Sequence, residues 1–219
     1  SEGHGEKLSD DPVQDMFAFV EHGIDTFDCA DIYTGVEELI GRFNRLNAQR
    51  DEPLPVRVHT KYVPDYVALE GLQRSDVQNI VERSLMRLNQ ERLDMVQFHW
   101  WNYDVPGWTD AAGWLAELQA AGKIELLSLT NFNAEKTLEI LDAGVSLATT
   151  QVQYSLLDTR PEKALAQVCL DHGMKMLCYG SLAGGFLSEK WLGTREPKEL
   201  HNRSLVKYRL MIEEIGGWE

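Results

Sequence analysis

The stretch Thr26–Gly35 reads TFDCADIYTG. Its first half is apolar and β-prone, in the manner of a buried strand, yet Asp28, Asp31 and Tyr33 stand where that strand runs out. A strand ending in a polar surface loop is the plain explanation. Two carboxylates and a phenol gathered above a core are the other. The choice depends on whether further strands end the same way.

Working outward, helix, glycine and strand recur, punctuated at Gly23, Gly122, Gly144 and Gly173. Before the stretch, residues 12–22 put Val13, Phe17 and Val20 on one helical face. After it come a helix over 36–46 and the β-branched run VRVHTKY (56–62). Ser75 and Gln78 predict a capping box ahead of a helix whose periodic face is Val77, Ile80, Val81, Leu85 and Leu88. LDMVQFHW (93–100), IELLSLTNF (124–132), LATTQVQ (147–153) and MKMLCYG (174–180) read as strands. Helices are predicted over 111–121, over 134–143 behind the cap Asn133, from Pro161 to about His172, and over 203–215. Such alternation implies a parallel sheet covered by helices.

An open dinucleotide-binding sheet would carry GxGxxG at its first strand–turn–helix, and GSLAGG (180–185) lacks that spacing and comes late. A barrel instead places chemistry at the C-terminal ends of several strands. Here Asp28, Lys61, His99, Thr130-Asn131, Gln151 and Tyr179 each end a different predicted strand. The reading is an α/β fold, a (β/α)8 TIM barrel, with 1–219 as a single domain. Only six strands are convincing, so the first strand and the final strand–helix unit are expected to be missing, leaving open sheet edges.

Composition bounds the function. A formal net charge of -14 disfavours nucleic acid as a partner, and 43% hydrophobic residues suffice for one sizeable core. No apolar run is long enough for a membrane span, and the N-terminal residues show no signal-peptide apolar region. Cys29, Cys169 and Cys178 lie in apolar segments without metal-binding spacing, which predicts reduced, buried thiols. The expected compartment is cytoplasmic, with the plastid stroma as alternative. Glu37, Glu38 and residues 213–214 read as solvated helix faces.

Asp28, Tyr33, Lys61 and His99 suit proton delivery to a carbonyl oxygen. A tyrosine donates reluctantly at neutral pH, a cation such as Lys61 stabilises its phenolate, Asp28 would fix that ammonium, and His99 would hydrogen-bond the substrate oxygen. A metal held by His59, Asp28 and His99 is disfavoured, because a lysine in their midst would repel the ion. No metal is expected.

The chain resembles the aldo-keto reductase family along essentially its whole length. GIDTFDCADIYTGVEELIG, VHTKY, LDMVQFHWW, GKIELLSLTNFN, TTQVQYSLLD and CYGSLAGGFLSEK occur in the family's order. QFHWW and VKYRLMIEEIGGW look most like a plant-plastid and microbial branch. The resemblance implies NADP(H)-dependent reduction of an aldehyde or ketone, with Tyr33 as general acid and Asp28, Lys61 and His99 completing the catalytic set. It implies cofactor contacts as well. Thr130, Asn131 and Gln151 would hold the nicotinamide carboxamide, Tyr179 would stack on the ring, and Gly180, Ser181 and Leu182 would run along the pyrophosphate. Trp100 and Trp101 are expected as walls for a small-molecule carbonyl substrate, and oligomeric state stays open. The alternative is a non-catalytic, cofactor-binding regulatory subunit that keeps the barrel.

Overall fold

Helices and strands alternate along the computed structural model, which describes residues 10–200 and 203–218. Helix α1 (Pro12–Glu21) is capped by Asp11, whose carboxylate accepts the Val13 N–H at 3.2 Å. It buries Val13, Met16, Phe17 and Val20. Strand β1 (Thr26–Asp28) is shorter than the predicted run, because the chain leaves the ladder for the loop that carries Asp31 and Tyr33. Helix α2 (Val36–Asn47) and strand β2 (Arg57–Tyr62) follow as predicted. Helix α3 (Arg74–Leu88) starts earlier than expected. Its cap is therefore made by Gln73 and Asp76 rather than Ser75 and Gln78, the Asp76 carboxylate accepting the Gln73 N–H at 2.9 Å.

Strand β3 (Leu93–Phe98), helix α4 (Trp108–Ala120), strand β4 (Ile124–Thr130), helix α5 (Ala134–Asp142) and strand β5 (Thr149–Gln153) continue the alternation. The Asn133 side chain caps α5 through the Lys136 N–H at 2.8 Å. The helix expected from Pro161 is broken. A short turn at Arg160–Glu162 is separated from α6 (Leu165–Asp171) by Ala164, whose φ of -121° lies outside the helical range. Strand β6 (Lys175–Tyr179) and helix α7 (Arg203–Glu214) complete the described elements.

The six described strands are parallel and pair in the order β1-β2-β3-β4-β5-β6. The register sets Lys61 beside Gln97 and Thr130 beside Gln151, and parallel direction brings every C-terminal strand end to one side. Neighbouring strands lie about 4.8 Å apart, so in a flat sheet β1 and β5 would be separated by about 19 Å. Yet Gln151 Nε2 on β5 donates to Asp28 Oδ1 on β1 at 2.8 Å. Two short side chains cannot span a flat sheet, so the sheet is rolled. The fold is barrel-like α/β, and among the described residues β6 does not pair back to β1.

Helices pack on the outside of the rolled sheet over a core that includes Phe43, Leu88, Leu93, Leu115, Ile124, Leu127 and Leu129. Each such side chain removed from water contributes about 1.5–3 kcal/mol. Helices α2 and α3 approach closely at Gly41, where an added Cβ would fall 1.9 Å from the Arg87 carbonyl oxygen. Helix α7 packs in a second cluster, where Tyr208, Met211 and Ile212 meet Phe186, Trp191 and Trp218. Cys29 and Cys169 are buried as predicted, whereas Cys178 is exposed. Among the described residues its strand β6 is bordered on one side only, which leaves half of its environment open. Among the described residues, no helix is long and apolar enough to cross a membrane.

Candidate active site

The strand ends meet around one carboxylate. Lys61 is buried on β2, and its Nζ donates to Asp28 Oδ2 at 2.5 Å and to the Cys29 carbonyl at 2.9 Å. Gln97 Nε2, from β3, donates to Asp28 Oδ1 at 2.7 Å, beside the donation from Gln151. A carboxylate that accepts from three side chains has its orientation fixed. Gln97 escaped the sequence reading, although a polar residue inside the apolar run LDMVQF was its signal.

Tyr33 sits in the turn after β1, with the Lys61 Nζ 5.6 Å from its ring centroid. Both side chains line a cavity of about 620 Å³, together with Asp28, His99, Trp101, Thr130, Asn131, Gln151 and Tyr179. Burial, followed by the negative charge of Asp28, raises the Tyr33 pKa. Burial and the Asp28 carboxylate, which bonds directly to the Lys61 ammonium, set the direction for the free phenol. Tyr33 keeps its proton across the neutral range. His99 Nδ1 lies 3.2 Å from the Thr130 carbonyl, which can only accept, so Nδ1 carries the hydrogen. Burial lowers the His99 pKa against that hydrogen bond. The neutral ring therefore presents an unprotonated Nε2, an acceptor rather than the donor that a carbonyl oxygen would need.

Beneath the loop of Tyr33 lies a polar layer that the sequence reading assigned to solvent. Glu37 is fully buried, not solvated, accepting from Thr60 Oγ1 at 2.7 Å and facing Arg87 Nη1 at 3.4 Å. Arg87 also donates to the Asp31 carbonyl at 3.0 Å, and Asp31 Oδ1 accepts from the Val63 N–H at 3.1 Å. These contacts tie the Tyr33 loop to the strand that carries Lys61. Burial, then Glu37, pushes the Asp31 carboxyl up to about 7.

The remaining predicted residues divide. Asn131, at a left-handed φ of 60°, accepts from the Tyr179 hydroxyl through Oδ1 at 2.8 Å and so has its –NH2 to offer a ligand. Gln151 uses its –NH2 on Asp28 and so has its carbonyl oxygen to offer. Trp101 lines the cavity, edge-on to His99 at 4.6 Å and anchored through Nε1 on the Pro64 carbonyl at 2.7 Å. Trp100 does not line it. Successive side chains of an extended segment point to opposite faces, so with His99 and Trp101 toward the cavity, Trp100 turns into the core, 2% exposed. Gly180, Ser181 and Leu182 also lie outside the cavity lining, where Ser204, Lys207 and Tyr208 of α7 stand instead. Tyr208 packs so closely on Gly180 that an added Cβ there would meet its hydroxyl at 2.5 Å. The sequence reading made α7 a helix but gave it no place at the site.

Comparison with known proteins follows the same line. Residues 2–218 match the model of the Aldo/keto reductase family. Aldo-keto reductase YhdN of Bacillus subtilis is 30% identical over 193 residues, covering 86% of this chain and 56% of that protein. The chloroplastic pyridoxal reductase of Arabidopsis thaliana is 29% identical over 206 residues, covering 86% and 55%. The chain thus spans about half the length of these curated relatives. Among solved structures, a glycerol dehydrogenase from Gluconobacter oxydans superposes with TM-score 0.69 at 26% identity, covering 98% of this chain and 71% of that one. An aldo/keto reductase from Klebsiella pneumoniae, in complex with NADP and acetate, gives 0.67 at 28%, covering 83% and 62%.

Proposed function

Because the chain belongs to the aldo/keto reductase family, we propose that it is an NADP(H)-dependent oxidoreductase acting on an aldehyde or ketone, with Tyr33 as the proton donor. The observation that carries this reading is the meeting of Asp28, Lys61, Tyr33 and His99 on one cavity, from three neighbouring strands and the loop beyond the first. About 620 Å³ has room for a nicotinamide and a small carbonyl compound. The donor set fits that cofactor. A primary carboxamide needs one donor and one acceptor, which are what Asn131 and Gln151 have left to offer. Tyr179 supplies an aromatic face beside them. When bound, the nicotinamide supplies the hydride.

The chain's own groups handle the proton. Tyr33, protonated at neutral pH, donates to the substrate oxygen as negative charge develops on it. Lys61, held on Asp28 and the Cys29 carbonyl, stabilises that charge from a fixed position. Neutral His99 receives a hydrogen bond from a hydroxyl, either that of Tyr33 or that of the alcohol, and so serves the return of the proton in the oxidative direction. Trp101 walls the substrate side.

Replacing Tyr33 with Phe tests the reading. Carbonyl reduction should fall by about 100-fold or more while NADPH affinity stays within about twofold. A Y33F variant that turns over like the native chain would remove Tyr33 from the chemistry.

A further inference from the structure

One cation at the cavity has no carboxylate partner. Lys61 is neutralised by Asp28, whereas Lys207 on α7 has no ion pair among the described residues. Its Nζ instead rests 4.7 Å from the ring centroid of Tyr179 and 4.6 Å from that of Tyr208. This contrasts with the rest of the chain, whose net charge is -14 and whose arginines and lysines are widely paired with acids. Lys207 also borders a second cavity that it shares with Asn131 and Tyr179, in which Arg160 is bound to Asp158 at 2.7 Å. Lys163 also lines the second cavity without an ion pair among the described residues, but Lys207 is the cation that lines both cavities and stands beside the catalytic set.

Building on the reductase reading, we infer that Lys207 is an anion-recognition residue of this site, and that the natural ligand set includes a carboxylate or phosphate group bound there. An aromatic ring holds an ammonium by about 1 kcal/mol, less than a charge-assisted bond to an oxyanion. Partial desolvation, which lowers the Lys207 pKa, favours that exchange of partners. A ligand that stacks on the ring face under Lys207 must displace the ammonium, and an oxyanion on the same ligand gives it a new partner. The oxyanion has two possible sources, a phosphate of the dinucleotide or an acidic group on the carbonyl substrate.

The test uses K207M and the charge-preserving K207R. Binding of NADPH is followed by nicotinamide fluorescence, and KM is measured for benzaldehyde and for a benzaldehyde bearing a carboxylate. If the oxyanion belongs to the cofactor, K207M weakens NADPH binding by about 10- to 100-fold and leaves the ratio of the two KM values unchanged. If it belongs to the substrate, the KM of the carboxylated aldehyde rises by a similar factor while that of benzaldehyde and the NADPH affinity hold. K207R restores either loss in large part. Less than about a twofold change in both constants overturns the inference. Should the native chain bind no NADPH and reduce neither aldehyde, the reductase reading fails by itself. Calorimetry with inorganic pyrophosphate then decides Lys207: binding that K207M abolishes upholds the inference, and no binding, or binding that K207M leaves intact, overturns it.

Discussion

Asp31→Asn should make the protein more stable, and more so in alkali than in acid. Asp31 is 5% exposed, its Oδ2 has no hydrogen bond among the described residues, and the Arg83 guanidinium nitrogen stands 3.6 Å away. Burial beside Glu37 lifts its pKa from 3.8 to about 7. The folded state therefore holds a proton that the unfolded chain has already released, and stability falls as pH rises between those two values, then levels off. At about 1.4 kcal/mol per pH unit, the cost above pH 7 is on the order of 4 kcal/mol. The amide of the D31N variant removes the ionisation and keeps an oxygen for the Val63 N–H. Urea unfolding near pH 5 and near pH 8 should show the advantage of D31N over native protein growing by about 2 to 3 kcal/mol toward the higher pH. Ionisations common to both proteins cancel in the difference. An advantage that is equal at the two pH values, or that shrinks, refutes the account of Asp31 as a carboxyl held neutral by its surroundings.

Two further outcomes follow from single contacts. Gln97→Leu removes one donor from Asp28 and also a buried Oε1 with no partner among the described residues, so stability should change by less than about 1 kcal/mol while kcat falls by about tenfold, as seen in parallel melting and turnover measurements. Gly41→Ala drives a methyl onto the Arg87 carbonyl and should cost about 3 kcal/mol by denaturant unfolding, since backbone on both helices must move apart.

Much of the architecture was readable because helix and strand periodicities alternate cleanly and glycines mark the joints. Polar residues at strand ends, Asp28, Lys61 and His99 among them, pointed to a common mouth before any geometry was known, and all three line the cavity. What escaped required partners distant in the chain. Glu37 shares a helical stripe with Ile40 and Gly41, yet its charge suggested solvent, and only Arg87 and Thr60, brought in from α3 and β2, explain its burial. Trp100 was legible but misread, since alternation already separates it from its neighbours His99 and Trp101. Lys207 was invisible as a site residue, because α7 reaches the cavity from a separate packing cluster that no local pattern announces.

The hydrogen bonds from β3 and β5 to Asp28 make that side chain a keystone, because the curvature of the whole wall closes on one acidic group. Removing it would let the arch relax as well as silence the reagent beneath it, so an inactive Asp28 variant reports on masonry and chemistry together. Neighbours that touch the keystone from a single stave, with Gln97 foremost, separate the two.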